Sequence, residues 1–121
     1  MRKYIVIEKW TESYKNPIVL KNGDTVSIDL SVEEPDVEWA NWVWCTSTTQ
    51  MTGWVPIQIL TILANNPDNT QEAVVIEDYS AYELTVEKDD IVLGDRILNG
   101  WLWCRKEHSE RNGWIPVRNI E

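Results

Sequence analysis

Apolar and polar positions alternate along this chain in short runs. Residues 4–8 (YIVIE) and 73–77 (AVVIE) are brief β-branched stretches, and in 24–30 (DTVSIDL) Val26, Ile28 and Leu30 alternate with polar side chains. A period of two marks a half-buried strand. In 42–45 (WVWC) and 101–104 (WLWC), Val43 with Cys45 and Leu102 with Cys104 share one face, while each tryptophan pair shares the other. The segments TSTTQMTG and RKEHSERNG read as hairpin connections. No stretch carries a helical period of useful length. The pattern predicts an all-β protein built of short strands.

The pattern occurs twice. Trp42, Trp44 and Cys45 map onto Trp101, Trp103 and Cys104 with an offset of 59. Gly53, Trp54 and Pro56 map onto Gly113, Trp114 and Pro116 with an offset of 60. Six of the eight tryptophans belong to this repeat, so chance does not explain it. Upstream, 6–10 (VIEKW) matches 75–79 (VIEDY), and 18–26 (IVLKNGDTV) matches 84–92 (LTVEKDDIV). The order is kept while the spacers differ, as for a fixed scaffold with loops of varied length. The expected organisation is a first domain at 1–62, a linker at 63–72 and a second domain at 73–121. Five short strands in about fifty residues indicate a small antiparallel barrel. The fold class expected is therefore two small five-stranded antiparallel barrels in tandem.

Length alone fits one domain, and the repeat overrules it. A domain of about sixty residues buries only about 60% of its unfolded surface, so each barrel is marginal by itself. The segment 60–64 (LTILA) is oddly apolar for a linker. Ile62 and Leu63 are expected to be buried where the barrels pack on each other, beside at least one strand tryptophan.

Charge narrows the partners. Eleven basic and twenty acidic residues give −9, with no lysine or arginine cluster. Nucleic-acid and anionic-membrane binding both demand such clusters, so neither is expected. A charged ligand is expected to be basic. The opening MRKYIVIEKW is too short and too interrupted for a signal-peptide core, and no segment approaches transmembrane length, so a cytoplasmic location is expected.

The two cysteines stand at equivalent places of the two copies, which argues for buried reduced thiols rather than a bridge. Cys104 with His108 lacks two further metal ligands, and Cys45 has no matching histidine. There is one histidine, no recurring nucleophile–base pair and no glycine-rich phosphate loop. No catalysis, cofactor or metal is expected.

The order of these motifs resembles the Src-homology-3 (SH3) family, including its bacterial variants. VVIEDY (74–79) lies over the family's opening strand and ELTVEKDD (83–90) over its acidic loop segment. WVWC and WLWC lie over its tryptophan strand, and GWVP and GWIP over its Gly-aromatic-aliphatic-Pro strand. The resemblance implies a groove for proline-containing peptides, with prolines dropped between aromatic ridges. Carried over, the groove residues are Trp10, Trp42 and Pro56 in the first copy and Tyr79, Trp101 and Pro116 in the second. Acids near Glu12, between 33 and 38, and at Glu83 are placed to pair a ligand arginine or lysine. Two further aromatic positions of the family are absent: Glu8 and Glu77 replace one, Ile59 and Asn119 the other. For Trp42, Trp44, Trp101 and Trp103, ligand contact and burial between barrels both stand open. Trp54 and Trp114 are expected to pack on the barrel. Three readings follow: a peptide- or protein-binding module, a cell-wall-binding module of the bacterial kind, or a structural or regulatory pair with occluded grooves. The acidic insertion at 29–41, which holds Trp39, is present only in the first copy.

Overall fold

The computed structural model describes residues 1–13, 16–32 and 41–121. The acidic insertion beyond Val32, with Trp39 and the acids at 33–38, lies outside the described residues. Among the described residues eleven strands are present: β1 Arg2–Ile5, β2 Val19–Leu20, β3 Thr25–Asp29, β4 Trp42–Ser47, β5 Thr52–Pro56, β6 Leu60–Asn65, β7 Thr70–Val75, β8 Tyr79–Ser80, β9 Ile91–Leu98, β10 Trp101–Lys106 and β11 Asn112–Pro116. Single 3-10 turns at Ile57–Ile59 and Val117–Asn119 follow the two prolines. The described residues contain no α-helix.

The strands gather into two compact units that do not follow the linear copies. A terminal unit consists of Met1–Lys15 and Tyr82–Glu121, and a central unit of Asn16–Ala81. The central unit holds a five-stranded sheet in the order β5-β4-β3-β7-β6 and the pair β2-β8. The terminal unit holds a four-stranded sheet in the order β1-β9-β10-β11, extended by bridges at Val6–Ile120, Trp10–Val86 and Glu83–Trp114. Each copy's opening strand therefore completes the other copy's unit.

The residues at 63–72, expected to be a linker, explain the exchange. They form the end of β6, a turn and the start of β7. Asn66 N–H donates to the Thr70 carbonyl at 2.9 Å, and Thr70 Oγ1 donates to Asp68 Oδ1 at 2.6 Å. Pro67 stands where its fixed φ suits a turn, and Asn69 takes φ 63°, a conformation asparagine tolerates. So tight a hairpin returns β7 along β6. Ile62 faces Ala73, and Leu63 is the extra residue of a bulge. Ile62 and Leu63 are consequently 39% and 58% exposed, not buried as their apolar character suggested.

The two exchanged strands keep one register. Val26 faces Ala73 in the central unit, and Val92 faces Tyr4 in the terminal unit, each pair being the repeat counterpart of the other. Val75 N–H donates to the Asp24 carbonyl, and Val6 N–H to that of Asp90, both at 2.8 Å. The terminal core joins Val6 to Leu84, Val86, Val92, Leu102, Cys104, Ile115 and Ile120. Val6 is fully buried there, a gain of about 1.5–3 kcal/mol for such a side chain.

The glycine of each Gly-Trp-aliphatic-Pro segment is required by a close crossing. A Cβ on Gly113 would lie 2.9 Å from main-chain atoms of Glu83 and Leu84, and one on Gly53 would lie 2.8 Å from Ile18 Cγ2. Only a residue without a side chain allows this approach. Cys45 and Cys104 are buried on the core face, as expected from strand alternation.

The division into units sets an order of fragment stability. A fragment of residues 16–81 contains every strand of the central unit and is expected to melt cooperatively. A fragment of residues 1–62 lacks β7 and is expected to melt lower or without a transition. Circular dichroism melts of the two fragments decide the point, and a higher midpoint for 1–62 would rule out the exchange.

Candidate functional site

Strand alternation and exchange together position the aromatic residues singled out in the sequence. Trp10 follows β1, pairs with Val86 and so lies in the terminal unit with Trp101 and Pro116. The Trp10 and Trp101 rings meet edge to face with centroids 5.4 Å apart, a favoured aromatic geometry. Trp101 faces Pro116 across β10 and β11. Tyr79 lies instead in the central unit with Trp42 and Pro56, where Trp42 faces Pro56 across β4 and β5. The grouping read from the linear copies is thus corrected: Trp10 and Tyr79 change places.

The two sites differ in finish. In the central unit Tyr79 and Trp42 are each 8% exposed, and Tyr79 Oη donates to the Trp54 carbonyl at 3.0 Å. In the terminal unit Trp101 is 7% exposed, while Trp10 keeps part of its surface. Trp44 packs edge to face on Trp54 at 5.2 Å, and Trp103 on Trp114 at 5.1 Å. Trp114 is buried, in keeping with its expected packing role. Pro56 and Pro116 are buried as well.

Sequence reading missed how Glu83 is used. Its Oε1 accepts from Trp10 Nε1, Ser13 N–H and Ser13 Oγ, each at 3.0 Å. Burial raises its pKa above the ordinary glutamate value of 4.5, against the opposing pull of those donors, and the nearby Glu12 charge adds to the rise. Glu12 sits 3.7 Å from Arg111, and its N–H donates to Thr85 Oγ1. Asn119, one of the non-aromatic replacements, is also committed internally. Its Nδ2 donates to the Glu8 and Lys9 carbonyls at 3.2 and 3.1 Å, and its buried Oδ1 has no partner among the described residues. The equivalent Ile59 is a buried apolar side chain. A cleft on the central unit, lined by Thr25, Ser27, Thr46, Thr48, Gln50 and Glu72 among others, includes none of the six expected groove residues.

Exchange also redistributes charge. The linear copies at 1–62 and 73–121 carry similar charges of −3 and −4. The terminal unit instead contains ten basic and ten acidic residues and is neutral, while the central unit contains one basic residue, Lys21, and ten acidic ones, or −9.

Antiparallel short-strand sheets, a 3-10 turn after each Gly-Trp-aliphatic-Pro strand and a tryptophan strand facing it define the class: small β domains of the SH3 type. A family profile for the variant SH3 domain matches residues 3–63 and 73–121, and the chain belongs to that family. Comparison with curated proteins and with solved structures returned no match.

Two measurements probe the buried groups. The folded state holds the Glu83 proton more tightly than the unfolded chain does. Its contribution to stability is therefore full below the unfolded value and is lost as pH rises through the folded one. Glu83→Gln keeps an acceptor for Trp10 and Ser13 without the buried charge. It is expected to melt above the parent at pH 7 and to converge with it near pH 4. A lower melting temperature at pH 7 contradicts this. Burial also pushes the Cys45 and Cys104 thiols up to about 12. Both are expected to resist a bulky thiol reagent at pH 8 in the native protein and to react on unfolding; rapid native labelling is the contrary result.

Proposed function

We propose that this chain is a non-catalytic interaction module that recruits a basic protein segment through its central unit. The observation that carries the reading is the charge of that unit, one base against ten acids within Asn16–Ala81. A surface of single sign raises the local concentration of an oppositely charged partner and speeds encounter by about 10–1000-fold at low salt. Membership of the SH3 family supports a protein or peptide as the partner. The groove walls support charge as the leading element of recognition. Trp42, Tyr79 and Trp101 are 7–8% exposed, whereas proline recognition needs open aromatic ridges.

Those buried walls also favour a second reading, a structural or regulatory pair with occluded grooves. A titration separates the two. The probe is a Lys- and Arg-rich peptide with a central proline pair, compared with a peptide of the same length bearing glutamates. The first reading expects binding of the basic peptide alone, weakening at least tenfold between 50 and 300 mM salt, the expected behaviour of exposed charges as about 8–10 Å screening sets in. Neutralising Glu33, Glu34 and Glu72 with glutamine is expected to weaken it about tenfold with an unchanged melting temperature. Absence of binding at low salt, or equal binding of both peptides, overturns the proposal.

A further inference from the structure

The repeat predicts two equivalent opening strands, yet each completes the opposite unit. The β6–β7 turn fixes one half of that exchange. It does not by itself say why residues 1–13 join the second copy. The difference lies in what each copy offers the incoming strand. Glu83 immediately precedes the segment 84–86; its counterpart, 66 positions earlier, is Pro17. The equivalence holds in space, because Leu84 and Ile18 occupy the same place against Gly113 and Gly53. Asn119 has Ile59 as counterpart, and both main chains receive the incoming strand alike: Ile7 N–H donates to the Asn119 carbonyl and Ile76 N–H to that of Ile59, each at 2.8 Å.

On the second copy the N-terminal strand therefore finds side-chain partners that the first copy does not have. Glu83 accepts from Trp10 Nε1 and twice from Ser13, and the Asn119 amide donates to the Glu8 and Lys9 carbonyls. On the first copy Trp10 Nε1 would meet Pro17, which has no side-chain acceptor, and those carbonyls would meet the apolar Ile59. Leaving part-buried donors and acceptors such as Trp10 Nε1 and the Glu8 and Lys9 carbonyls unmade is costly. Tyr79 makes the opposite demand. Its hydroxyl donates to a main-chain carbonyl, that of Trp54, at 3.0 Å.

We infer that Glu83 and Asn119 are the residues that select the N-terminal strand for the second copy, acting as a hydrogen-bonding receptor with Trp10 and Ser13 as its key. Proline and isoleucine at the matching positions of the first copy exclude that strand from it.

The full-length chain reports the choice through a competition between two disulfides. Lys3 faces Leu93 across β1 and β9. Ser27, the repeat counterpart of Leu93, faces Glu72 across β3 and β7. A protein carrying Lys3→Cys, Ser27→Cys and Leu93→Cys is oxidised in a thiol–disulfide buffer, and its bonds are read by mass spectrometry of proteolytic fragments. The native thiols are buried and stay out of the exchange. The expected bond joins positions 3 and 93. Adding Glu83→Ala and Asn119→Ile is expected to lower its yield at least tenfold, with position 3 left free or bonded to position 27, and Glu83→Gln is expected to keep it. Where the double change unfolds the protein, Glu83→Ala alone, at a partly exposed position, makes the same comparison with Glu83→Gln. A bond between positions 3 and 27 in the parent background, an unchanged yield in the Ala variant, or an equal loss in the Gln variant overturns the inference.

Discussion

Four residues between β6 and β7 govern the arrangement. Asn66, Pro67, Asp68 and Asn69 turn the chain within the width of one strand pair, and neighbouring strands lie only about 4.8 Å apart. The strand that opens the second copy is thereby committed to the sheet of the first. A vacancy then opens beside β9, and the N-terminal strand fills it. The shared register of Tyr4 with Val92 and Ala73 with Val26 shows that the barrel accepts either strand geometrically. Side chains, not backbone shape, distinguish them.

The strands themselves were legible because a barrel imposes period-two alternation and fixed turn residues. Val26 and Ile28 are buried where alternation placed them, and the paired Cys45 and Cys104 fall on the core face. The family was legible because Gly53 and Gly113 mark a crossing that permits no side chain. What escaped was long-range. Local pattern states that a strand exists but not which copy it completes. The NPDN run was visible, yet a polar segment between repeats reads equally as linker or hairpin. Ile62 and Leu63 misled for the same reason, since an exposed bulge in a sheet carries the apolar residues of a strand. The contrasts of Glu83 with Pro17 and of Asn119 with Ile59 at matched positions were the available signals that the two copies receive different strands.

Charge shows most plainly what the exchange changes. Read along the chain, the copies carry nearly equal charge; grouped in space, one unit is neutral and the other holds all of the excess. Taking residues 1–15 out of the first copy and adding residues 63–81 exchanges four bases and two acids for four acids. The acidic unit exists only in space and has no counterpart among the linear copies.

The bridge from Val6 to Ile120 spans 114 positions of sequence. During synthesis β1 consequently leaves the ribosome long before the residues that cover it. The central unit is complete once residue 81 has emerged, but residues 2–10 must wait for partners as late as Ile120. Contacts so distant in sequence form slowly, because loop-closure entropy precedes any gain from pairing. Throughout that interval an apolar strand with an unpaired edge is open to other nascent chains. Arg2, Lys3, Glu8 and Lys9, which bracket the apolar run at 4–7, place charges at both of its ends. Flanking charges of this kind restrain aggregation of a strand that cannot yet be buried.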